Sequence, residues 1–502
     1  MIRPAGTRRR RSRSDAEGIP MQDTNLDRAG LFIGGEWVAP RGGAFDLVEA
    51  ATEKPLARSA AGDRADIDAA VVAARTALDG PWAGHSPDER AAALDRFAAA
   101  LQARAKTTAA LCSRENGMPI SLSLTVNGYA PAAMFRYYAD LLRAAPAEDV
   151  RPGMFGGRTL VRSEPVGVVA AITPWNYPQS LAAMKLAPAL AAGCTVVLKP
   201  APETALDAFV FADAALKAGL PAGVLNIVPA DREAGAHLVA HPGVDKVAFT
   251  GSTAAGRAIG AVCGRLLRPV TLELGGKSAA IVTDDADLDA FTAALLEVSL
   301  TNNGQTCHAG TRILVSRHRY DEVVEAVTET VRNLVIGDPL DRATQIGPLV
   351  SAAQRRRVLG YIEAGRRGGH RLTTGGRVPA DQPQGWYVEP TVFADVDNSA
   401  LLAREEIFGP VLAVIPYRDE DDAVAIANDS EYGLAGTVWT TDEQRGIALA
   451  DRIHSGTVGV NHYALDLAAP FGGVKASGLG RELGPEGLLP YRQPKSVYLA
   501  GR

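Results

Sequence analysis

The sequence predicts an α/β fold of two or more domains, the first of them Rossmann-like. Three observations carry that expectation. Short β-like runs alternate with helix-like runs along the chain, the signature of a parallel sheet with crossover helices. A glycine-containing segment, residues 251–256, stands between one such strand and the helix after it. And 502 residues exceed what one hydrophobic core usually holds.

Taken in order, residues 67–77 and 88–112 read as two amphipathic helices, with apolar positions recurring at helical spacing. The apolar run 166–172 is a strand, the alanine-rich 180–192 a helix, and 195–198 a strand. Residues 205–218 read as helix, 224–228 and 246–249 as extended, 253–262 as helix. A second βα series opens at Ser278, carries the helix-period run 288–300 and the strand-like 312–315, and leads into a helix over 320–334. It resumes past Val411 and runs to Val460, with no internal repeat or long linker.

A formal net charge of −5 gives no electrostatic reason to expect nucleic acid or an anionic membrane as a partner. The apolar stretches are short and broken by Gly, Pro or charge, so none reads as a transmembrane helix. Cys112, Cys194, Cys263 and Cys307 are scattered without CxxC pairs. Neither a metal site nor a disulfide framework is expected, which fits a reducing, cytoplasmic setting. The basic, serine-containing run at residues 8–13 lacks apolar periodicity and predicts a disordered arm over residues 1–20. Without an apolar h-region it is no secretory signal, and without an amphipathic face a transit peptide is poorly supported.

Four strings carry chemistry. Asn303, Gly304, Gln305, Thr306 and Cys307 set a cysteine at the end of an apolar helical run; such a thiol is either core packing or a nucleophile, which works as its thiolate. Thr173 to Pro178 fences Asn176 between two prolines at the carboxyl end of a strand; this is an ordinary Pro-rich turn or a fixed amide donor for an oxyanion. Glu273 stands between Leu272 and Leu274; facing solvent it is unremarkable in chemistry, and facing a cleft its pKa rises toward that of a general base. Glu406 and Phe408, two residues apart, point the same way if extended.

In this order and at these separations the strings resemble the aldehyde dehydrogenase superfamily over nearly the whole chain from about Leu31. Residues 198–200, 249–256 and 470–478 are further family-like pieces. The resemblance implies an NAD(P)-binding domain from residues 21–143 and 163–273 and a catalytic domain from 274–460. It also implies an oligomerisation element from a hairpin at 144–162 and the C-terminal 488–502, with a substrate-side loop over 461–487 returning to the cofactor domain. A homo-oligomer, dimer or tetramer, follows from it, and translation is expected to start at Met21.

The resemblance also implies roles. Cys307 attacks an aldehyde carbonyl; the Asn176 side chain and the Cys307 N–H hold the oxyanion; Glu273 deprotonates the water that hydrolyses the thioester; Lys185 supports Asn176 and the protonation of the site. Taken alone, Lys185 reads equally as an exposed lysine on an alanine-rich helix. Related enzymes that pass the acyl group to coenzyme A lack this glutamate, so water is the expected acceptor. Gly251 and Ser252 would meet a pyrophosphate at the following helix N-terminus, Lys199 the adenine ribose, Glu406 the nicotinamide ribose and Phe408 the nicotinamide ring. Ile172, Thr173, Pro174, Trp175, Leu274 and Gly275 lie along the same path. Many NAD-using members have a glutamate three residues after the lysine; here that position is Pro202, with Glu203 beside it. NAD is expected because no arginine stands near Lys199 to pair with a 2′-phosphate, while the absent carboxylate leaves NADP open.

The pocket candidates, Tyr177, Leu181, Met184, Thr306, His308, Leu465 and Phe471, are mostly apolar and favour aliphatic or aromatic aldehydes. Met184 stands where members acting on betaine aldehyde are expected to have an aromatic. Two other readings stay open: a thiol hydrolase pairing Cys307 with a histidine, and a non-catalytic homologue, which need not keep Cys307, Glu273 and Asn176.

Overall fold

The computed structural model describes residues 26–144 and 149–500, and the expected basic arm lies outside them. The N-terminal segment, for which the sequence pattern gave no element, forms two hairpins. β1 (Leu31–Ile33) turns into β2 (Glu36–Val38) through Gly34 and Gly35, both at positive φ, and β3 (Ala44–Val48) pairs with β4 (Pro55–Ala60). Helix α1 (Arg64–Leu78) starts at a reciprocal capping box between Asp63 and Asp66, and α2 (Pro87–Gln102) at one between Ser86 and Glu89. The helix expected over 88–112 is broken. Arg104 leaves helical geometry at φ −110°, ψ 4°, its guanidinium pairs with Asp213, and α3 (Ala105–Asn116) begins afresh. Then come α4 (Ile120–Ser123), a π-turn at Leu124–Tyr129, α5 (Ala130–Ala144), β5 (Asp149–Pro152) and β6 (Arg158–Pro165).

The Rossmann-like series follows as β7 (Val168–Ile172), α6 (Pro178–Ala192), β8 (Thr195–Lys199), α7 (Ala205–Ala218), β9 (Leu225–Ile227), α8 (Arg232–Ala240), β10 (Lys246–Thr250), α9 (Thr253–Arg265) and β11 (Val270–Glu273). The second series holds β12 (Ala279–Val282), α10 (Leu288–Ser299), β13 (Arg312–Ser316), α11 (Tyr320–Arg332), α12 (Ala352–Arg367), β14 (Arg371–Thr374) and β15 (Thr391–Ala394). It continues with α13 (Leu401–Arg404), β16 (Val411–Tyr417), α14 (Glu420–Asn428), β17 (Ala435–Trp439), α15 (Glu443–Ala450) and β18 (Thr457–Val460). Two late strands, β19 (Gly478–Leu479) and β20 (Arg492–Leu499), end the fold.

The first sheet has the order β19-β11-β10-β7-β8-β9-β1-β2, parallel from β11 to β9. The second runs β14-β15-β16-β13-β12-β17-β18, parallel but for the β14–β15 edge. β20, β6 and β5 make a separate antiparallel sheet. β7 to β8 to β9 steps one way across the first sheet, and β10 then returns to the other side of β7. That reversal opens a crevice at the carboxyl ends of β7 and β10, where ligands of open α/β sheets bind. α6 is buried on every side, as a helix without a polar face must be, and it carries Lys185 inside with it.

Candidate active site

Cys307 follows a turn, Thr301–Gly304, in which Asn302, Asn303 and Gly304 take φ of 52°, 61° and 75°. Asparagine tolerates this left-handed region and Gly304 requires it, since a Cβ there would lie 2.2 Å from the Gly409 carbonyl. Side-chain amides brace the strained turn. Asn302 Nδ2 donates to the Asn176 carbonyl at 2.9 Å; Asn303 Nδ2 donates to the carbonyls of Gly117 and Pro348 at 3.0 and 2.9 Å; Gln305 Oε1 accepts from Val350 N at 2.9 Å. The thiol is pushed up to about 12, chiefly by burial and then by the Glu406 and Glu273 carboxylates.

The β7 loop places Asn176 against that turn: its Nδ2 donates to the Gln305 carbonyl at 3.0 Å, and its own carbonyl also accepts from Asn116 Nδ2 at 3.2 Å. Glu273 ends β11 and is buried, with neither carboxyl oxygen bonded within the described protein. Burial raises its pKa well above the usual carboxylate value, Glu482 adds to the rise, and Lys185 and Arg481 oppose it.

Lys185 corrects the reading of an exposed lysine. It is not exposed, because α6 is sheathed by other elements, and it makes no hydrogen bond to Asn176 among the described residues. Its ammonium instead pairs with Glu482 at 2.7 Å and donates to Thr250 Oγ1 at 2.5 Å. Glu482, to which no role is read from the sequence, stands in a glycine-rich return at the Phe471–Glu482 bridge.

Around the crevice, Ser252 caps α9, accepting from Ala255 N at 3.3 Å. Thr173 N donates to the Lys199 carbonyl, and Lys199 Nζ donates to the carbonyls of Pro200 and Ala230 at 2.9 and 2.7 Å. Burial lowers the Lys199 pKa to about 8 against the pull of Glu203 and Asp231. Pro202 and Glu203 begin a 3₁₀ turn just beyond. Glu406 Oε1 accepts from Gly276 N at 3.0 Å, and a Cβ on Gly275 would sit 2.5 Å from the same carboxylate, so the paired glycines make room for it. Burial holds Glu406 up to about 7, with Gly276 N–H, Arg357 and Lys277 opposing. Trp175 and Phe408 meet edge to face at 5.3 Å, while Gly251, Pro174 and Ile172 line the neighbouring strand ends; Leu274 packs in the core behind them.

On the other side of Cys307, Tyr177 Oη and Thr306 Oγ1 share a hydrogen bond of 2.7 Å. Leu181, Met184 and Phe471 belong to the buried cluster against which Cys307 packs. His308 stacks on Tyr463 at 5.0 Å and meets Phe471 edge-on at 6.2 Å; burial lowers its pKa to about 4. Tyr463, missed in the sequence, is anchored by Thr457 Oγ1 at 2.8 Å and, with Leu465 and Phe471, lines a cleft of about 300 Å³.

Residues 37–497 match the family model described as the aldehyde dehydrogenase family. This chain belongs to that family. It is similar to a protein of Castellaniella defragrans named geranial dehydrogenase, 53% identical over 478 residues, covering 95% of this chain and 100% of the relative. Among solved structures it resembles a Mycobacterium tuberculosis aldehyde dehydrogenase complexed with NAD+, with a TM-score of 0.92 and 47% identity over 95% of this chain and 99% of that one. It also resembles a Pseudomonas syringae aldehyde dehydrogenase C variant complexed with NAD+ and octanal, with a TM-score of 0.90 and 41% identity over 93% and 96% of the two chains. This aldehyde dehydrogenase is accordingly an oxidoreductase that converts an aldehyde to its acid with a nicotinamide dinucleotide, which decides against the hydrolase and non-catalytic readings. Among the described residues no helix is long and apolar enough to cross a membrane.

A cluster of Asp68, His237 and His241 lies away from the site, between α1 and α8. Gly243 N donates to His241 Nδ1 at 2.9 Å, which puts that ring's proton on Nε2, facing Asp68. The cluster is thus a hydrogen-bonded group rather than three free metal ligands.

Proposed function

We propose that Cys307, Asn176 and Glu273 oxidise an apolar aliphatic or aromatic aldehyde, with water as the final acceptor. The contact between Asn176 and the Cys307 turn carries this reading, because it sets an amide donor beside the nucleophile. The Cys307 thiolate adds to the carbonyl carbon, and the resulting thiohemiacetal oxyanion takes hydrogen bonds from Asn176 Nδ2 and the Cys307 N–H. NAD supplies the hydride acceptor that converts this adduct to a thioester. Glu273 then removes a proton from water, whose oxygen attacks the thioester carbon and releases the acid and the thiol. Lys185 and Glu482, paired behind Glu273, set the field in which it titrates.

The crevice suits a dinucleotide: Ser252 and the α9 N-terminus for the pyrophosphate, Lys199 for the adenosine ribose, Glu406 with its glycine cradle for the nicotinamide ribose, and Phe408 with Trp175 for the ring. The two parallel sheets support the domain division expected from the sequence, and the antiparallel sheet is proposed as the surface of a homo-oligomer. Leu181, Met184 and Phe471, the apolar side chains packed with Cys307, support the apolar substrate, as do relatives named for geranial and crystallised with octanal. Absorbance of the reduced nicotinamide, followed with a panel of saturated aldehydes, tests the reading. The specificity constant should improve by about 1 kcal/mol or less per added methylene until the cleft is full. Better turnover of succinic semialdehyde than of hexanal would overturn the substrate class.

A further inference from the structure

Position 202, where a carboxylate would hold both hydroxyls of an adenosine ribose, is a proline here. Another carboxylate, Asp231, stands in the loop after the neighbouring strand β9. Lys199 ends β8, and its ammonium donates to the carbonyl of Ala230, the residue before Asp231. Asp231 is the N-cap of α8 and accepts from Ala234 N at 2.9 Å, which fixes its carboxylate beside the carboxyl end of β9, next to β8. We propose that Asp231 is the residue that makes this enzyme select NAD over NADP. The inference rests on the proposed placement of Lys199 at the adenosine ribose.

Three observations support it. Two of the three ammonium protons of Lys199 are already given to the carbonyls of Pro200 and Ala230, so little donor capacity remains for a phosphate. The charged groups acting on Lys199 are the carboxylates of Glu203 and Asp231; Arg232, exposed at the start of α8 next to Asp231, is not among them. A 2′-phosphate, carrying about two negative charges near neutrality, would therefore enter between two carboxylates with one preoccupied cation to receive it. A ribose hydroxyl, by contrast, finds acceptors there. Asp231 is the stronger candidate of the two, because its cap bond holds it in place whereas Glu203 makes no hydrogen bond among the described residues.

The test compares NAD with NADP in wild type, Asp231→Asn, Asp231→Ser and Glu203→Gln. Asparagine and serine keep the helix cap and remove only the charge, so folding and electrostatics separate. Wild type should favour NAD by a factor of about a hundred in kcat/KM, and Asp231→Asn and Asp231→Ser should each cut that ratio at least fivefold, mainly through a lower KM for NADP. Calorimetry with ADP and with 2′,5′-ADP, which needs no turnover, should show the same shift. A ratio unchanged within twofold in both Asp231 variants, a larger shift in Glu203→Gln, or a wild type that prefers NADP would overturn the proposal. Failure of aldehyde oxidation with both cofactors, alongside a calorimetric shift, would count against the catalytic reading and not against this one.

Discussion

The side-chain amide of Asn176 donates to the carbonyl of Gln305, two residues before Cys307, at 3.0 Å. The proposed oxyanion donor and the turn that carries the nucleophile are therefore tied by a hydrogen bond, although one belongs to the β7 loop and the other follows α10.

Replacing Cys307 by alanine should abolish aldehyde oxidation and leave NAD affinity within about threefold, since the thiol carries the covalent step and not the fold. Alanine at Cys112, Cys194 or Cys263, each buried away from the site, should leave turnover largely intact. Residual oxidation by Cys307→Ala would sink the covalent mechanism.

Glu273→Gln should slow steady-state turnover by roughly 10²-fold or more. Rapid mixing should still show one equivalent of reduced cofactor formed in a burst. If burst and turnover vanish together, Glu273 serves the thiol and not the deacylating water.

With its pKa pushed up to about 12, the Cys307 thiol of the cofactor-free enzyme carries little thiolate near neutrality. Iodoacetamide, which reacts with thiolate, should alkylate it about tenfold faster for each unit of rising pH. A rate that is flat from neutral to mildly alkaline pH would show a preformed thiolate.

Glu482 raises the pKa of Glu273, and Lys185 lowers it. A base works in its deprotonated form, so Glu482→Gln should move the acidic limb of the kcat profile to lower pH, and Lys185→Met should move it to higher pH. Limbs unmoved in both variants would mean that Glu273 does not set the profile.

Met154 and Phe155, at the tip between β5 and β6, are 92% and 100% exposed, and Tyr498 on β20 is exposed too. These side chains stand on the antiparallel sheet proposed above as the oligomer surface. If that proposal holds, Phe155→Glu with Met154→Lys should lower the molar mass seen by sedimentation; an unchanged mass would count against this sheet as an oligomer surface.

The groups proposed for this site stand out in residue order because each sits in its own short string, Asn176 and Glu273 after or at the end of a strand, Cys307 after a helix and Glu406 before a strand. Cys307, Asn176, Glu273 and Glu406 are flanked by glycines, prolines or alternating leucines that fix where the side chain emerges. Lys185 could not be read that way: its burial depends on what covers α6, which no local pattern records. Glu482 was hidden for the same reason, being brought to Lys185 across 297 residues of chain. The break between α2 and α3 is invisible in the sequence because Ala103 and Arg104 are good helix formers, and the partner of the Arg104 side chain, Asp213, is distant in the chain.

The amide of Asn303 is held by Gly117, Pro348 and Gly347 beneath the nucleophile. Asparagine before glycine is the pair that sheds its amide most readily in a slack chain, and such residues are thermolabile. Here the clamps keep that chemistry shut while the turn is intact. Any loosening would let Asn303 become a carboxylate facing two carbonyl oxygens, and the turn would not close again. Of the Asn–Gly pairs at residues 116, 127 and 303, the last lies in the turn that leads into Cys307, so a loss of its amide would reach the nucleophile directly.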